Sequence, residues 1–253
     1  MRAGRAVVAA LIAAAVTSAC GPPPPVQRQG WAAGAGEIAG VLGADFAAVQ
    51  GLDDLTAEAR LTLTHEQGRN SLAASMLFRP PDLLRLDVQG PLFQHVLSAV
   101  IEADTLLALV EGRRLALQAD DGLEYFLGID LGGYDPRWTL LGVVLPGEPD
   151  TARVRLPGPG RAVVPVEASP DLPPRRLTLD LHRGFVVGEA VLDDSGEILW
   201  SRRLQRFRRL PGTDVYLPRS VRIESGGRIL ELEYGKVRLD RGLERAAFFT
   251  GLR

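Results

Sequence analysis

From Leu55 onward the chain keeps a period of two. Leu55, Ala57, Ala59, Leu61 and Leu63 alternate with Thr56, Glu58, Arg60, Thr62 and Thr64. Successive side chains of a strand point to opposite faces, so this alternation predicts a strand with one apolar and one wet face. The pattern then repeats. Gln67-Gly68-Arg69-Asn70 reads as a turn, and Leu72, Ala74, Met76 and Phe78 alternate on a second strand. Pro80-Pro81 breaks that run, and a third strand is predicted over residues 83–89. Runs over 96–102, 106–110 and 114–118 follow, separated by Asp104 and Glu111-Gly112. Short runs punctuated this regularly predict an antiparallel meander. Strands resume over 152–156, 162–167, 176–182 and 185–192. Asp193-Asp194-Ser195-Gly196 turns the chain into 198–207, and 215–223 and 228–239 pair across Ser225-Gly226-Gly227. The expectation is a mainly β chain of about eleven strands and three helices, with no internal repeat.

Two stretches depart from this period. Over residues 37–52, Ile38, Val41, Leu42, Phe46 and Val49 recur at steps of three and four, which predicts an amphipathic helix weakened by Gly40 and Gly43. Residues 121–146 interrupt the meander. Leu123, Phe126 and Leu127 lead into Gly128, and Asp135 stands before Pro136-Arg137-Trp138-Thr139-Leu140-Leu141-Gly142. An aspartate followed by proline at the first helical position is a helix start, so two short helices are predicted here.

Ahead of the meander, Arg2 and Arg5 precede an uncharged run over residues 6–16, then Thr17-Ser18-Ala19 and the chain's one cysteine, Cys20. The apolar run is too short to span a membrane, which needs roughly 20 residues, and the order is that of a secretory leader. Small residues directly before a cysteine resemble the lipobox of bacterial lipoproteins, with Thr17 where that pattern usually has Leu. The resemblance implies that Cys20 is acylated after cleavage of residues 1–19. An ordinary leader followed by a free thiol is the plainer alternative. Pro22-Pro23-Pro24-Pro25 opens a Pro- and Gly-rich segment suited to a semi-rigid tether. The expected division is a leader over 1–19, a lipidated cysteine and tether over 20–36, and one folded domain over 37–253. Gly21 lacks the Asp that retains lipoproteins at the inner membrane in the enteric sorting rule, which favours the outer membrane.

Composition excludes several classes. A formal charge of −2 gives no net attraction to nucleic acid, and the 29 basic residues include only one lysine, Lys236. With Cys20 acylated, no cysteine remains for a disulfide. His65, His95 and His182 lie on three separate predicted strand regions without partners at metal-ligand spacing, so no metal site is expected. Gly158-Pro159-Gly160 reads as a turn and not a phosphate loop, no Gly-x-Ser-x-Gly elbow is present, and the acidic pairs fall at turns. No catalytic residues and no cofactor are expected; the chain reads as a non-enzyme. The one basic cluster contains Arg202, Arg203, Arg206, Arg208 and Arg209. On a continuous strand Arg202, Arg206 and Arg208 share a face with Leu204. That face is either merely solvated or docks to anionic headgroups or an acidic carrier.

Gly90-Pro91-Leu92 ends one strand. Leu127-Gly128-Ile129-Asp130-Leu131, Leu140-Leu141-Gly142 and Leu145-Pro146-Gly147 mark the helical insert. Leu217-Pro218-Arg219 precedes a strand, and Gly226-Gly227-Arg228-Ile229-Leu230-Glu231-Leu232 closes the sheet. In this order and spacing, over residues 37–240, the motifs resemble the LolA/LolB superfamily and within it LolB, the outer-membrane receptor that inserts lipoproteins. Phe93 stands where LolB usually has Gly. The resemblance implies a strongly curved antiparallel sheet of eleven strands, an incomplete barrel closed by helices, whose concave face holds acyl chains. Leu61, Leu63, Met76, Phe78, Leu86, Val100, Trp138 and Leu141 are then the candidates to line that cavity, unless they pack on one another as an ordinary core. Leu92, extended by Phe93, takes the place of the loop that pushes cargo lipid into a membrane. It further implies a monomer anchored to the periplasmic face of the outer membrane through Cys20. Such a receptor takes an acylated lipoprotein or lipid from a soluble LolA-like carrier. The rival expectation is an envelope scaffold or regulatory binding protein with the same fold.

Overall fold

A computed structural model of the chain describes residues 35–91, 94–170, 172–239 and 241–252. The leader, Cys20 and nearly all of the tether lie outside the described residues, as do Leu92 and Phe93. Helix α1 (Ala35–Gln50) comes first. A meander follows, of β1 (Leu55–His65), β2 (Gly68–Arg79), β3 (Leu83–Gln89), β4 (His95–Glu102), β5 (Thr105–Val110) and β6 (Arg113–Gln118). The insert carries α2 (Asp121–Leu127), α3 (Pro136–Leu141) and a 3-10 turn at Thr151–Arg153. The second half contains β7 (Arg155–Gly158), β8 (Arg161–Val166), β9 (Arg175–Asp180), β10 (Phe185–Leu192) and β11 (Ile198–Gln205). It continues through β12 (Arg208–Arg209), β13 (Tyr216–Leu217), β14 (Ser220–Ser225), β15 (Arg228–Leu239) and α4 (Arg245–Phe248). Among the described residues no helix is long and apolar enough to cross a membrane.

Thirteen strands form one open antiparallel sheet in the order β6-β5-β4-β3-β2-β1-β15-β14-β11-β10-β9-β8-β7. It curves without closing, and β12 pairs only with β13. The strand count therefore exceeds the expected eleven. Pieces such as β7, β12 and β13 have two to four residues, too few to show alternation. Arg206, at φ +56, ends β11 one residue earlier, and Pro218, which has no N–H to offer a ladder, separates β13 from β14. The two open edges, β6 and β7, are consecutive in the chain, and the insert is the segment that joins them.

The apolar alternates gather on the concave face. Leu61, Met76, Leu86, Val164, Leu177, Val191, Trp200, Leu204, Val221, Ile223, Leu230 and Leu232 are all buried in one cluster with α1 and the insert. The helix α1 bends within its length: Gly43 has φ +134, a conformation open to glycine, and the two halves lay Ile38, Val41, Leu42 and Val49 on the core. A smaller cluster lies on the convex face, where α4 covers Leu83 and Val100 with Phe248, Phe249 and Leu252. Polar contacts fix α4 there. Asp54 accepts from the Arg241 and Leu243 amides at 2.8 Å each. Arg85 donates to the Phe248 and Thr250 carbonyls at 2.9 and 2.7 Å, satisfying groups that a helix end leaves open.

Candidate functional site

The insert fills one half of the concave face, and buried polar side chains hold it there. Glu189 of β10 stands on the apolar face between Val187 and Val191, and its carboxylate is shared. Oε1 accepts from Tyr134 Oη at 2.8 Å and lies 3.2 Å from Arg175 Nη1. Oε2 accepts from Arg202 Nε at 2.7 Å and from Nη2 at 2.6 Å. Two arginines against one glutamate leave a surplus positive charge, and carbonyls of the insert absorb it. Arg202 donates to Trp138 and Thr139 O at 3.1 Å each and to Val143 O at 2.8 Å. Arg175 donates to Leu145 O at 3.1 Å and Pro146 O at 3.0 Å. Trp138 and Thr139 lie in the last turn of α3, where the helix dipole favours a cation. Further pins come from Trp200 Nε1 to Leu131 O, at 2.9 Å, Tyr234 Oη to Leu140 O, at 2.7 Å, and Ser225 Oγ to Asp130 O, at 3.1 Å. Burial, and then the Glu189 charge, push the Tyr134 hydroxyl well above the usual tyrosine range; burial alone does so for Tyr234.

Local sequence shapes the insert to fit. Asp135 caps α3 by accepting from the Arg137 amide at 2.8 Å, as the Asp-Pro start predicts. Gly142 ends it at φ +71, pressed on the sheet so closely that a Cβ would lie 2.5 Å from Pro218 and 2.8 Å from Val221. Trp138 packs between Phe46 of α1 and Phe78 of β2, at ring-centroid distances of 4.7 and 5.3 Å.

The other half of the concave face stays open. Under α2, an apolar cavity of about 230 Å³ is lined by Leu61, Leu63, Leu72, Leu84, Leu86, Val88, Leu97, Ala99, Ile101, Leu106, Val110, Leu123, Phe126, Leu127 and Leu140; Asn70 is the polar side chain in the lining. Beside it, sharing Leu63, Phe126 and Leu127, runs a polar crevice of about 460 Å³ with His65, Glu66, Gln67 and Arg228. Strands β1, β3, β5 and β14 run in the same direction. Their last residues, His65, Gln89, Val110 and Ser225, therefore sit together at one end of the sheet. Leu63, Asn70, Val88, Val96 and Val110 place the cavity at that same end.

Of the predicted lining residues, Leu61, Leu63 and Leu86 face this cavity. Met76, Phe78, Trp138 and Leu141 belong to the core packed between the sheet and the insert. Val100 is a correction: it points to the convex face, beneath α4, because β4 is buried on both sides. On either side of Leu92 and Phe93, Gly90 N donates to Gln94 O at 2.8 Å; the two themselves lie outside the described residues. Cys20 lies outside them too. Arg202 is a second correction. Its side chain is 0% exposed and holds the insert, so it cannot meet a headgroup or a carrier. Arg206 and Arg208 are exposed, and the left-handed turn at Arg206 puts them out of register with Arg202. Sequence reading missed Glu189, Arg175 and Tyr134. The signal was there in Arg202, which stands between Trp200 and Leu204 at alternate positions on the core face.

The histidines serve local structure. His65 Nδ1 accepts from the Gln67 amide at 3.2 Å. On the convex face His95 Nε2 lies 2.9 Å from Ser98 Oγ and 3.8 Å from Asp87 Oδ1. That trio lacks the order of a nucleophile, base and orienting acid, because Ser98 also bonds Asp87 directly and one imidazole nitrogen faces both. Arg85 donates to both oxygens of Asp87, at 2.6 and 2.8 Å. Among the described residues no group of three or more His, Cys, Asp and Glu is placed to hold a metal.

An open, curved antiparallel sheet with a helical insert laid in its concavity defines a LolA-like fold. Three solved structures share it. A LolA superfamily protein from Nitrosomonas europaea aligns with a TM-score of 0.59 at 11% identity, over 83% of this chain and 96% of that one. A protein domain from Vibrio parahaemolyticus, described as outer membrane lipoprotein-sorting, gives 0.59 at 13% identity over 87% and 99%. A DUF1329 family protein from Desulfovibrio piger gives 0.61 at 10% identity, again over 87% and 99%. No protein-family model matches the chain. No curated protein matches it either.

Proposed function

We propose that the chain is a lipoprotein of the bacterial envelope, tethered through acylated Cys20, that binds an acyl chain without covalent chemistry and passes acylated cargo to the outer membrane. The cavity under α2 carries this reading: sixteen apolar side chains converge on unfilled space at the end of the sheet where β3 ends and β4 begins. A hydrocarbon tail buried there gains about 0.8 kcal/mol per methylene. An amphiphile can place its tail in the cavity and leave its polar end in the crevice beside His65 and Arg228. Transfer is then a matter of differential affinity, with the tail moving wherever its apolar surface is better buried. The LolA-like fold and the lipobox both accord with this reading.

One observation favours a second reading. At about 230 Å³ the cavity falls below the roughly 300 Å³ at which small-molecule pockets begin. The insert fills the rest of the concavity. A single tail suits that space better than several, which favours a scaffold or regulatory lipoprotein that senses an acylated partner. Mass spectrometry of acyl chains retained by the purified protein tests the shared premise, with Cys20→Ser removing the protein's own anchor. Retained chains, with Leu92→Glu abolishing transfer to liposomes, support the transfer role. Retained chains with transfer absent in wild type support the scaffold. Absence of any bound chain ends both. Fatty-acid labelling that persists in the Cys20→Ser protein would remove the anchor.

A further inference from the structure

The outer face of the sheet carries a feature that acyl-chain binding does not use. Across β15, β1 and β2 runs a groove of about 830 Å³, flanked by Arg60, Arg206, Arg208 and Arg219 over a floor of small residues that includes Ser71, Ala73 and Gly235. Its two acids are engaged elsewhere or already matched. Glu233 pairs with Arg206 at 2.6 Å, and Glu58 lies 3.8 Å from Arg238. Among the described residues, no carboxylate forms an ion pair with Arg60, Arg208 or Arg219.

The groove thus sets four arginines against two glutamates, with Glu233 opposite Arg60 in the β1–β15 register and Arg208 beside Arg219, and keeps a positive surplus. Arg219 donates from Nη1 to Gly235 O at 2.6 Å, and its Nε is buried with no acceptor. Partial burial and the neighbouring Arg208 charge both weaken its hold on the proton. Like charges gathered in a groove raise the free energy of the empty protein, and a bound anion turns that cost into affinity. A carboxylate has two oxygens and one charge, which a single guanidinium can satisfy. Three guanidiniums delivered from β1, β12 and the residue before β14 suit an anion with more oxygens and more charge, as a phosphate has.

We propose that this groove binds a phosphate group, held by Arg60, Arg208 and Arg219. The source is either the headgroup of an anionic lipid or a soluble phosphate compound. None of the three arginines lines the apolar cavity, so the site stands or falls independently of acyl-chain binding.

The full mature chain carrying Cys20→Ser, which has no acyl anchor, is tested in two arms. In one, co-sedimentation compares phosphatidylglycerol-containing vesicles with phosphatidylcholine vesicles at low salt. In the other, the melting temperature is followed as inorganic phosphate replaces chloride at constant ionic strength. Vesicle binding weakened about tenfold or more by Arg208→Ala plus Arg219→Ala identifies a headgroup site. A phosphate-dependent rise in melting temperature, lost in the same double variant and without vesicle binding, identifies a soluble ligand. Arg208→Ala alone also leaves the melting temperature in chloride unchanged or higher, because it relieves repulsion. Arg69→Ala, an exposed arginine paired with Glu231, behaves as wild type throughout. Vesicle and phosphate responses that are absent in wild type, or equal in wild type and the double variant, overturn the proposal.

Discussion

Glu189 and Arg202 meet at 2.6 Å with neither side chain exposed to solvent. The pair joins adjacent strands and, through Arg202, ties the sheet to three carbonyls of the insert. Removing one partner of a buried pair leaves an uncompensated charge, at a cost of about 3–5 kcal/mol. Arg202→Met is therefore expected to lose about that much in urea unfolding. Arg202→Lys should not restore it, since a point charge cannot serve a carboxylate and three carbonyls together. A loss below about 1 kcal/mol would mean that the apolar contacts of the insert suffice to seat it.

Tyr134 and Tyr234 make stability depend on alkaline pH. Burial raises both hydroxyls above the ordinary value, so the folded state keeps protons that the unfolded state releases above about pH 10. Their contribution is complete below that pH and is lost as pH rises through the unfolded value toward the folded one. Denaturant midpoints measured from neutral pH to pH 11 should fall steeply at the alkaline end. Tyr234→Phe should start lower, having lost its bond to Leu140 O, and fall less steeply. An identical slope in the variant would exclude Tyr234 as a source.

The C-terminal segment hangs on Asp54. Replacing it with alanine leaves the Arg241 and Leu243 amides without their acceptors, at about 1–3 kcal/mol for each group left buried. Hydrogen exchange should show the loss first in α4 and in the parts of β3 and β4 it covers. Uniform loss across the sheet would contradict this order.

Ala99 faces the cavity. Ala99→Phe places a ring in space that is unfilled, so an acyl-chain probe should bind about tenfold or more weakly while the urea midpoint holds or rises. A large fall in stability would instead reveal a site with no room to spare.

Much of this architecture was legible because its signals are local. Leu55 to Leu63 and Leu72 to Phe78 alternate without a break, and Asp135-Pro136 starts a helix whatever surrounds it. Long-range contacts left no such mark. In β4 both Leu97 and Val100 are buried, since α4 covers the outer face, and a strand buried on both sides loses the alternation that would say which way Val100 points. Arginine at 202 reads as wet because its partner, Glu189, lies on another strand. The space beside Leu61 and Leu86 was also beyond sequence, because an apolar alternate looks the same whether it meets a side chain or a void.

The insert leaves the sheet at one open edge, β6, and rejoins it at the other, β7. The cup is thus a horseshoe laced across its tips, and the lace sets how far the tips stand apart. A few residues added to or removed from the stretch between Ala119 and Val154 would resize the hollow while leaving every side chain that lines the strands unchanged.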